Sequence, residues 1–394
     1  MERLEPTLRS YPWGSRSLLA RLRGRPVPAE QPEAELWFGA HAAAPSTVRG
    51  EALDAVIAAD PVASLGARVA AEFDGKLPFL LKLLAAGEPL SIQAHPSKQQ
   101  AEEGYAREDE LGIPLNSPER DYRDRNHKPE LIVALTPFHA IAGFRPPERT
   151  RELFDALECP ALDRYVSLLG PAGDPSAYRA LFTTWIALPP GTRDELILDL
   201  AESAQRLIGE GTWISRTAEN FLALAEQYPN DTGTLASLLL NHVELQPGEA
   251  LYLGAGQLHA YLRGMGVEIM ANSDNVLRGG LTTKHVDVPE LVRIVSFEDL
   301  ESPFASTEER GAETVYGVPC EDFALSRMRL SAGDCVDLSH DGPSVALCTE
   351  GTARVSSAET EIDLAPGEAA WIPAGEIATA GVGDGAGELF IARA

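Results

Sequence analysis

Hydrophobic positions follow three rhythms along the chain. Up to about residue 146 they come in short β-type runs such as Leu131-Ile132-Val133-Ala134-Leu135, cut by glycine and proline turns. Within this region Ser97-Lys98-Gln99-Gln100 has the form of a capping box and predicts the start of a short helix. From 147 to 240 apolar residues recur at three- and four-residue spacing over 148–157, 177–188, 192–208 and 213–228, which predicts four helices. Thr192-Arg193-Asp194-Glu195 reads as a second capping box, and Gly209 and Pro229 as helix stops. From 241 onward, short alternating strands return between Pro-Gly and Gly-rich turns.

The last region repeats itself. Pro247-Gly248-Glu249-Ala250 recurs as Pro366-Gly367-Glu368-Ala369, and Ala255-Gly256 recurs at the same offset as Ala374-Gly375. A turn, a short strand and a second turn that delivers a side chain inward build part of a double-stranded β-helix, the cupin barrel. The expected fold is mainly β with an α-helical insertion: two cupin-type double-stranded β-helix (jelly-roll) barrels plus a helical domain. Residues 1–146 and 241–310 would form the first, discontinuous barrel domain, 147–240 the helical domain, and 311–394 a degenerate second barrel. The delivered residue is His259 in one copy and Ala378 in the other. If His259 is a ligand, the second barrel has lost that role and is structural.

Charge narrows the function. The 394 residues carry 33 Lys plus Arg against 59 Asp plus Glu, a net charge of −26. Nucleic-acid affinity rests on cations that neutralise phosphates, and anionic membranes repel an acidic surface, so both partners are excluded. A hydrophobic content of 44% argues against disorder. No run of about 18 apolar residues occurs, and the first residues, Met1-Glu2-Arg3-Leu4-Glu5-Pro6, do not form a signal peptide. Cys159, Cys320, Cys335 and Cys348 form no CxxC pair and read as reduced thiols, which predicts a cytoplasmic protein.

Three places carry candidate chemistry. Gln93 and His95 lie two apart on a strand that ends at Pro96, so both can address one point. Glu130 stands where the polar loop Asn126-His127-Lys128-Pro129 runs into an apolar strand, and His259 stands at the repeated turn. Two imidazoles, a carboxylate and an amide oxygen without thiolate suit a divalent ion, zinc first, in a Lewis-acid site. Taken singly, each histidine fits a hydrogen-bonded core or surface role at least as well, and Glu130 fits a salt bridge. His41, His127, His139, His242, His285 and His340 carry no metal reading. The polar turn with Asp274, Arg278 and Lys284 reads equally as a solvated loop. Spacing alone does not decide.

Four motifs do more together. Ser91-Ile92-Gln93-Ala94-His95-Pro96, Asn126-His127-Lys128-Pro129-Glu130, Gln257-Leu258-His259-Ala260-Tyr261 and the run from Ser273-Asp274-Asn275 through Arg278-Gly279-Gly280 to Lys284 resemble type I mannose-6-phosphate isomerases, in that family's order. Tyr11-Pro12-Trp13-Gly14-Ser15 and Glu35-Leu36-Trp37-Phe38-Gly39 fit as well. The motifs cover roughly residues 1–300, and Thr283, where proline is common, is a minor departure. The resemblance implies one zinc ion per chain held by Gln93, His95, Glu130 and His259. It implies a pocket of Ser91, Lys82, Lys128, Tyr261, Glu268, Asp274, Arg278 and Lys284. Lys82 also stands out by itself, since a lysine inside Phe79-Leu80-Leu81-Lys82-Leu83-Leu84 needs a partner or a site.

The implied reaction interconverts mannose 6-phosphate and fructose 6-phosphate by proton transfer through an enediolate. Glu268 is the simplest base, with Lys128, His127 and Arg278 as rivals and Asp274 as an orienting group. Lys82, Lys284 and Arg278 are candidates for the substrate phosphate. The implied partner is a small phosphorylated sugar, and a second barrel plus a helical domain covering the first barrel predict a monomer. Two alternatives are a non-catalytic sugar-phosphate-binding cupin with a retained metal site, and a metal-dependent oxygenase; the latter usually has more histidines. The acidic shell should therefore surround a locally positive pocket.

Overall fold

The computed structural model describes all residues except 171–173, 175–177 and 384. Its strands pair antiparallel in sheets of ten, nine and four, and the largest group of helices lies between residues 147 and 237. The ten-stranded sheet comprises β1 (Thr7–Arg9), β2 (Glu35–Gly39), β3 (Phe79–Ala86), β4 (Ile92–Ala94), β5 (Glu130–Ala134), β6 (Phe138–Phe144), β7 (Leu240–Leu245), β8 (Ala250–Leu253), β9 (His259–Ala271) and β10 (Leu277–Gly280). Its spine is β9, whose first half pairs with β4 and β6 and whose second half pairs with β3 and β5. Strand β3 lies between β2 and β9 and is buried along its whole length. A strand covered on both faces reads as a continuous apolar run rather than an alternating one.

Both copies of the repeat adopt one backbone. Gly248 and Gly367 turn with φ of 94° and 82°, a conformation that glycine adopts without steric cost. Gly248 N–H donates to Ala134 O and Glu249 N–H to Gln246 O; Gly367 N–H donates to Cys348 O and Glu368 N–H to Ala365 O. The strands β8 and Ala369–Ile372 follow, then second turns, and the next strands begin at His259 and Ala378.

The chain's first strand, Glu2–Glu5, pairs with Ala369–Ile372 and with Thr47–Val48 in the nine-stranded sheet. A backbone ladder therefore joins the two ends of the chain across the expected boundary at 311. Nothing in Glu2-Arg3-Leu4-Glu5 announces which sheet it joins.

Four helices form where periodicity placed them: Pro147–Leu157, Arg179–Ile186, Pro190–Ala204 and Trp213–Gln227. Ala177, at the start of the second expected helix, lies outside the described residues. The capping box at Ser97 is present: Gln100 N–H donates to Ser97 Oγ, and Ser97 N–H to Gln100 Oε1. The one expected at Thr192 is not. That helix begins at Pro190 without a side-chain cap, so Thr192 falls inside its first turn. Proline's fixed φ and missing N–H suit the first helical position, and this outweighed the Thr-x-x-Glu signal. Several helices were not expected, among them Leu53–Ala59 and Pro61–Glu72; Asp60 caps the second of these by accepting from Ala63 N–H.

The helical core of Leu153, Phe154, Trp185, Leu200 and Phe221 is continuous with Ile92, Ile141, Leu258 and Ala260 of the sheet. It thus packs against the strands that carry the site. All four cysteines are free thiols. Among the described residues no helix is long and apolar enough to cross a membrane.

Candidate metal centre and substrate cavity

Strand register brings four side chains to one point. Gln93 on β4 is opposite His259 on β9 and Arg278 on β10, His95 follows just beyond β4, and Glu130 opens β5. The ligating atoms of His95, Glu130 and His259 lie within 4.8 Å of one another, all buried. His95 Nε2 is 3.3 Å from Glu130 Oε1, and His259 Nε2 is 3.3 Å from Glu130 Oε2. Gln93 Nε2 lies 3.3 Å from His259 Nε2; turning the amide over would present its oxygen instead.

The tautomers follow from the carbonyls behind the rings. His95 Nδ1 is 2.8 Å from Asn275 O, and His259 Nδ1 is 2.9 Å from Gln257 O. A carbonyl only accepts, so each Nδ1 carries the proton and each Nε2 presents a lone pair. Burial pushes the His95 imidazole down to about 4, so protonation does not supply a donor near neutral pH. His95 Nε2 and Glu130 Oε2 are buried without a hydrogen-bond partner among the described residues. Lone pairs and a carboxylate converging without a donor are costly alone and complementary to a divalent cation. The mixed N/O donor set without thiolate fits zinc.

A cavity of about 670 Å³ opens over this cluster. It is lined by Gln93 and Glu130 together with Lys82, Ser91, Lys128, Tyr261, Glu268, Asp274, Arg278 and Lys284. Its charges are segregated. At the buried end Lys82 Nζ lies 2.8 Å from Glu268 Oε2 and 3.5 Å from Glu35 Oε1, and Lys128 Nζ lies 3.1 Å from Glu130 Oε1. Burial alone would push the Lys82 ammonium down, yet Glu268, Glu35 and Glu130 raise it above its usual value. Burial raises the Glu268 carboxyl against the pull of Lys82. Burial also works against ionised Glu130, but Lys128 and His95 hold it well below the usual carboxylate range.

At the outer end stand Arg123, Arg278 and Lys284, with no ion pair among the described residues. Burial and then Arg123 depress Arg278; burial, Arg278 and Arg123 depress Lys284. Asp274 Oδ1 lies 3.4 Å from His41 Nε2, which holds the carboxyl below its usual value.

Strand β9 lines the cavity with both halves of its length only because its pleat is interrupted. Tyr261 and Glu268 both line the cavity although an odd number of residues separates their faces. The register shifts between Tyr261 and Arg263, and Gly264 follows with φ of 118°. A Cβ on Gly264 would come within 2.7 Å of Pro137 O. The bulge moves the second half of the strand onto the face that His259 occupies in the first half.

Comparison with known proteins gives the family. The family description "Phosphomannose isomerase type I, catalytic domain" matches residues 1–147, and "Phosphomannose isomerase type I C-terminal" matches 315–358. The mannose-6-phosphate isomerase of Escherichia coli (strain K12) is 40% identical over 385 residues, 95% of each chain. That of Bos taurus is 34% identical over 415 residues, 95% of this chain and 93% of its own. The chain belongs to the type I phosphomannose isomerase family.

Solved structures of the family superpose closely. A point variant of phosphomannose isomerase from Salmonella typhimurium is 36% identical with a TM-score of 0.91, covering 100% of this chain and 99% of that one. A mannose 6-phosphate isomerase bound with zinc and yttrium gives 0.90 at 36% identity, with the same coverage.

Within this family fold some sequence expectations change place. His127 is not brought to the cavity: its Nε2 lies 2.8 Å from Asp322 Oδ2, toward the C-terminal sheet. Lys82 lines the cavity, but its ammonium is taken by Glu268 and Glu35, which leaves it poorly placed to receive a phosphate. Sequence reasoning missed Arg123 and His41 as cavity residues and gave Glu35 and Trp37 no role. Alternation along Glu35-Leu36-Trp37 was a usable signal, since both side chains share one face and Trp37 Nε1 donates to Glu35 Oε2 at 2.8 Å. The lining holds six cationic side chains (Arg9, Lys82, Arg123, Lys128, Arg278, Lys284) and five carboxylates (Glu35, Glu88, Glu130, Glu268, Asp274). The protein's own groups are thus near balance, and positive charge is concentrated at the outer end.

Proposed function

We propose that this chain is a zinc-dependent aldose–ketose isomerase that interconverts mannose 6-phosphate and fructose 6-phosphate through an enediolate. The observation that carries the metal centre is the pair of orphaned buried atoms, His95 Nε2 and Glu130 Oε2, within the His95–Glu130–His259 cluster. Gln93, His95, Glu130 and His259 would hold one zinc ion per chain. Bound there, zinc supplies a Lewis acid for the negative charge that grows on the sugar oxygens.

The chain's own residues supply the rest. Arg123, Arg278 and Lys284 receive the substrate phosphate, because they stand together at the outer end without a carboxylate partner among the described residues, whereas Arg9, the other cation without one, is engaged by the Tyr11 hydroxyl. Holding that remote dianion orients the reacting carbons. Glu268, its pKa raised by burial, takes the proton from C2 of the open-chain aldose and returns it to C1. Lys82 beside Glu268 keeps that carboxylate ionised and in place between transfers. Lys128 presents an ammonium to the developing oxyanion, and Ser91 and Tyr261 contact sugar hydroxyls. Asp274, held by His41, orients the turn that carries Arg278.

The architecture proposed is two cupin-type barrels, with residues 1–146 and 241–310 as the catalytic domain, 147–240 as the helical domain and 311–394 as the degenerate barrel. The branching of β9 into four neighbours supports a closed first barrel. The barrels share strands, since Glu2–Glu5 lies in the second one's sheet. A monomeric cytoplasmic enzyme fits this arrangement. The test is metal analysis combined with turnover of mannose 6-phosphate in a coupled assay, with and without chelator. One equivalent of zinc, activity lost with the chelator and restored by zinc is the expected result. Zinc bound without turnover would leave only the binding-protein reading, and neither zinc nor turnover would sink the proposal.

A further inference from the structure

A second cavity, of about 340 Å³, lies between the helical group and the edge of the ten-stranded sheet. Its lining includes Arg145 just beyond β6, Arg149 in the first turn of Pro147–Leu157, Trp213 and Arg216 in the first turn of Trp213–Gln227, and His242 and Glu244 on β7. In a chain with almost twice as many acidic as basic groups, three arginines around one cavity are a local reversal of sign.

None of the three is in an ion pair among the described residues. Arg145 is 2% exposed, and its two terminal nitrogens donate to Leu238 O and Leu240 O at 2.9 and 2.6 Å. Arg216 Nη1 donates to Gly211 O at 3.0 Å. The guanidinium groups of Arg145 and Arg149 lie over the same indole, 5.3 and 4.4 Å from the Trp213 ring. The ring attracts each of them, but they repel one another, and burial followed by Arg149 takes Arg145 down to about 10. The nearby carboxylate, Glu244, accepts from Gln246 Nε2 at 3.4 Å and reaches none of the arginines. Elsewhere in the molecule, arginines such as Arg25 and Arg120 are matched by carboxylates at 2.6–3.0 Å.

We infer that this cavity is a second anion site, separate from the isomerase cavity, that takes a small phosphate monoester dianion. Guanidinium forks match phosphate oxygens in pairs, and an anion relieves the repulsion that Arg145 and Arg149 otherwise bear over Trp213. The volume is in the range of small-ligand sites and exceeds what a bare phosphate ion fills. The site sits on β6 and β7, and β6 carries Ala142 opposite the metal-centre residue His259.

The test is equilibrium dialysis of the zinc-loaded full chain against radiolabelled inorganic phosphate at low ionic strength. Wild type should take up two equivalents. Arg149→Ala and Arg216→Ala, both exposed side chains, should each weaken one of them about tenfold or more, and together abolish it. Turnover should stay within about twofold in these variants, while Lys284→Ala weakens the other equivalent. A single equivalent in wild type, lost only with Lys284→Ala, overturns the inference. So does a second equivalent that survives the double arginine variant with unchanged affinity.

Discussion

The two copies of the repeat share their turns, their closing hydrogen bonds and the position of their next strand, and differ in what that strand delivers. In one copy His259 enters a cluster with His95, Glu130 and Lys128; in the other Ala378 enters a core of Met328, Leu330, Cys348 and Ile391. The backbone therefore does not decide the chemistry. The first copy carries buried charges that each require a partner, while the second is filled with apolar side chains that stabilise it by leaving water. A scaffold used twice can keep one copy for the reaction and leave the other for stability.

The largest effect should come from making the first copy like the second. His259→Ala removes one of the Nε2 lone pairs and should abolish stoichiometric zinc and lower kcat/KM by about a thousandfold, since a Lewis-acid metal is worth several kcal/mol in the transition state. Metal content and the coupled assay measure both. The reverse change should not create a site. Among the described residues the one group of three metal-binding side chains is that of His95, Glu130 and His259, so Ala378→His has no partners to join. Ala378 is 1% exposed, and overpacking it should cost about 1–3 kcal/mol in denaturant unfolding without altering turnover much. Zinc retained by His259→Ala, or gained by Ala378→His, would break the comparison.

The repeat was legible because Pro-Gly turns and Ala-Gly turns leave a fixed mark in sequence, and the four helices because apolar spacing does the same. Other features left no local mark. Glu2–Glu5 pairs on one side with Ala369–Ile372, more than 360 residues away, and no local pattern encodes such a choice. The bulge at Tyr261–Arg263 reverses the facing of half a strand, so Glu268 could not be placed in the cavity by counting from His259. His127 entered as a rival base within the Asn126–Glu130 motif, but its imidazole meets Asp322 outside the cavity, a contact made across 195 residues of sequence. Arg123 was hidden in the charged run Arg120-Asp121-Tyr122-Arg123-Asp124-Arg125; only the fold shows that Arg120 is buried on Glu108 and Asp109 while Arg123 lines the cavity.

Glu268 sharpens the contrast at the next level of effect. If it is the proton shuttle, Glu268→Gln should lower kcat about a hundredfold with little change in KM, because the isosteric amide keeps the shape and loses the proton transfer. The same substitution leaves Lys82 with Glu35, 3.5 Å away, so its ammonium keeps a partner and zinc content should stay at one equivalent. Near-normal turnover with zinc retained would remove Glu268 from the role and leave Lys128 as the remaining buried candidate.

The smallest effect concerns what the catalytic half gives up in stability. Asp121 lies two residues before Arg123, and its carboxyl is pushed up to about 7, first by burial and then by Asp287, Glu108 and Glu290, against the opposing pull of Arg278. In the unfolded chain an aspartate titrates near 3.9, at about pH 4. Between those values the folded state holds the proton more tightly, so the stability tied to this group is present below about pH 4 and is lost as pH rises through 7. Asparagine does not ionise. Asp121→Asn should therefore raise Tm by a few degrees at pH 8, with the gain shrinking toward zero as the medium is acidified to about pH 4. Scanning calorimetry of both proteins across that range measures it. A gain that does not depend on pH would assign the effect to packing, and a loss at pH 8 would mean that ionised Asp121 is compensated by Arg278 after all. The expected sign follows from what surrounds Asp121: burial and the carboxylates of Asp287, Glu108 and Glu290 outweigh the pull of Arg278, so the group is destabilised when it ionises.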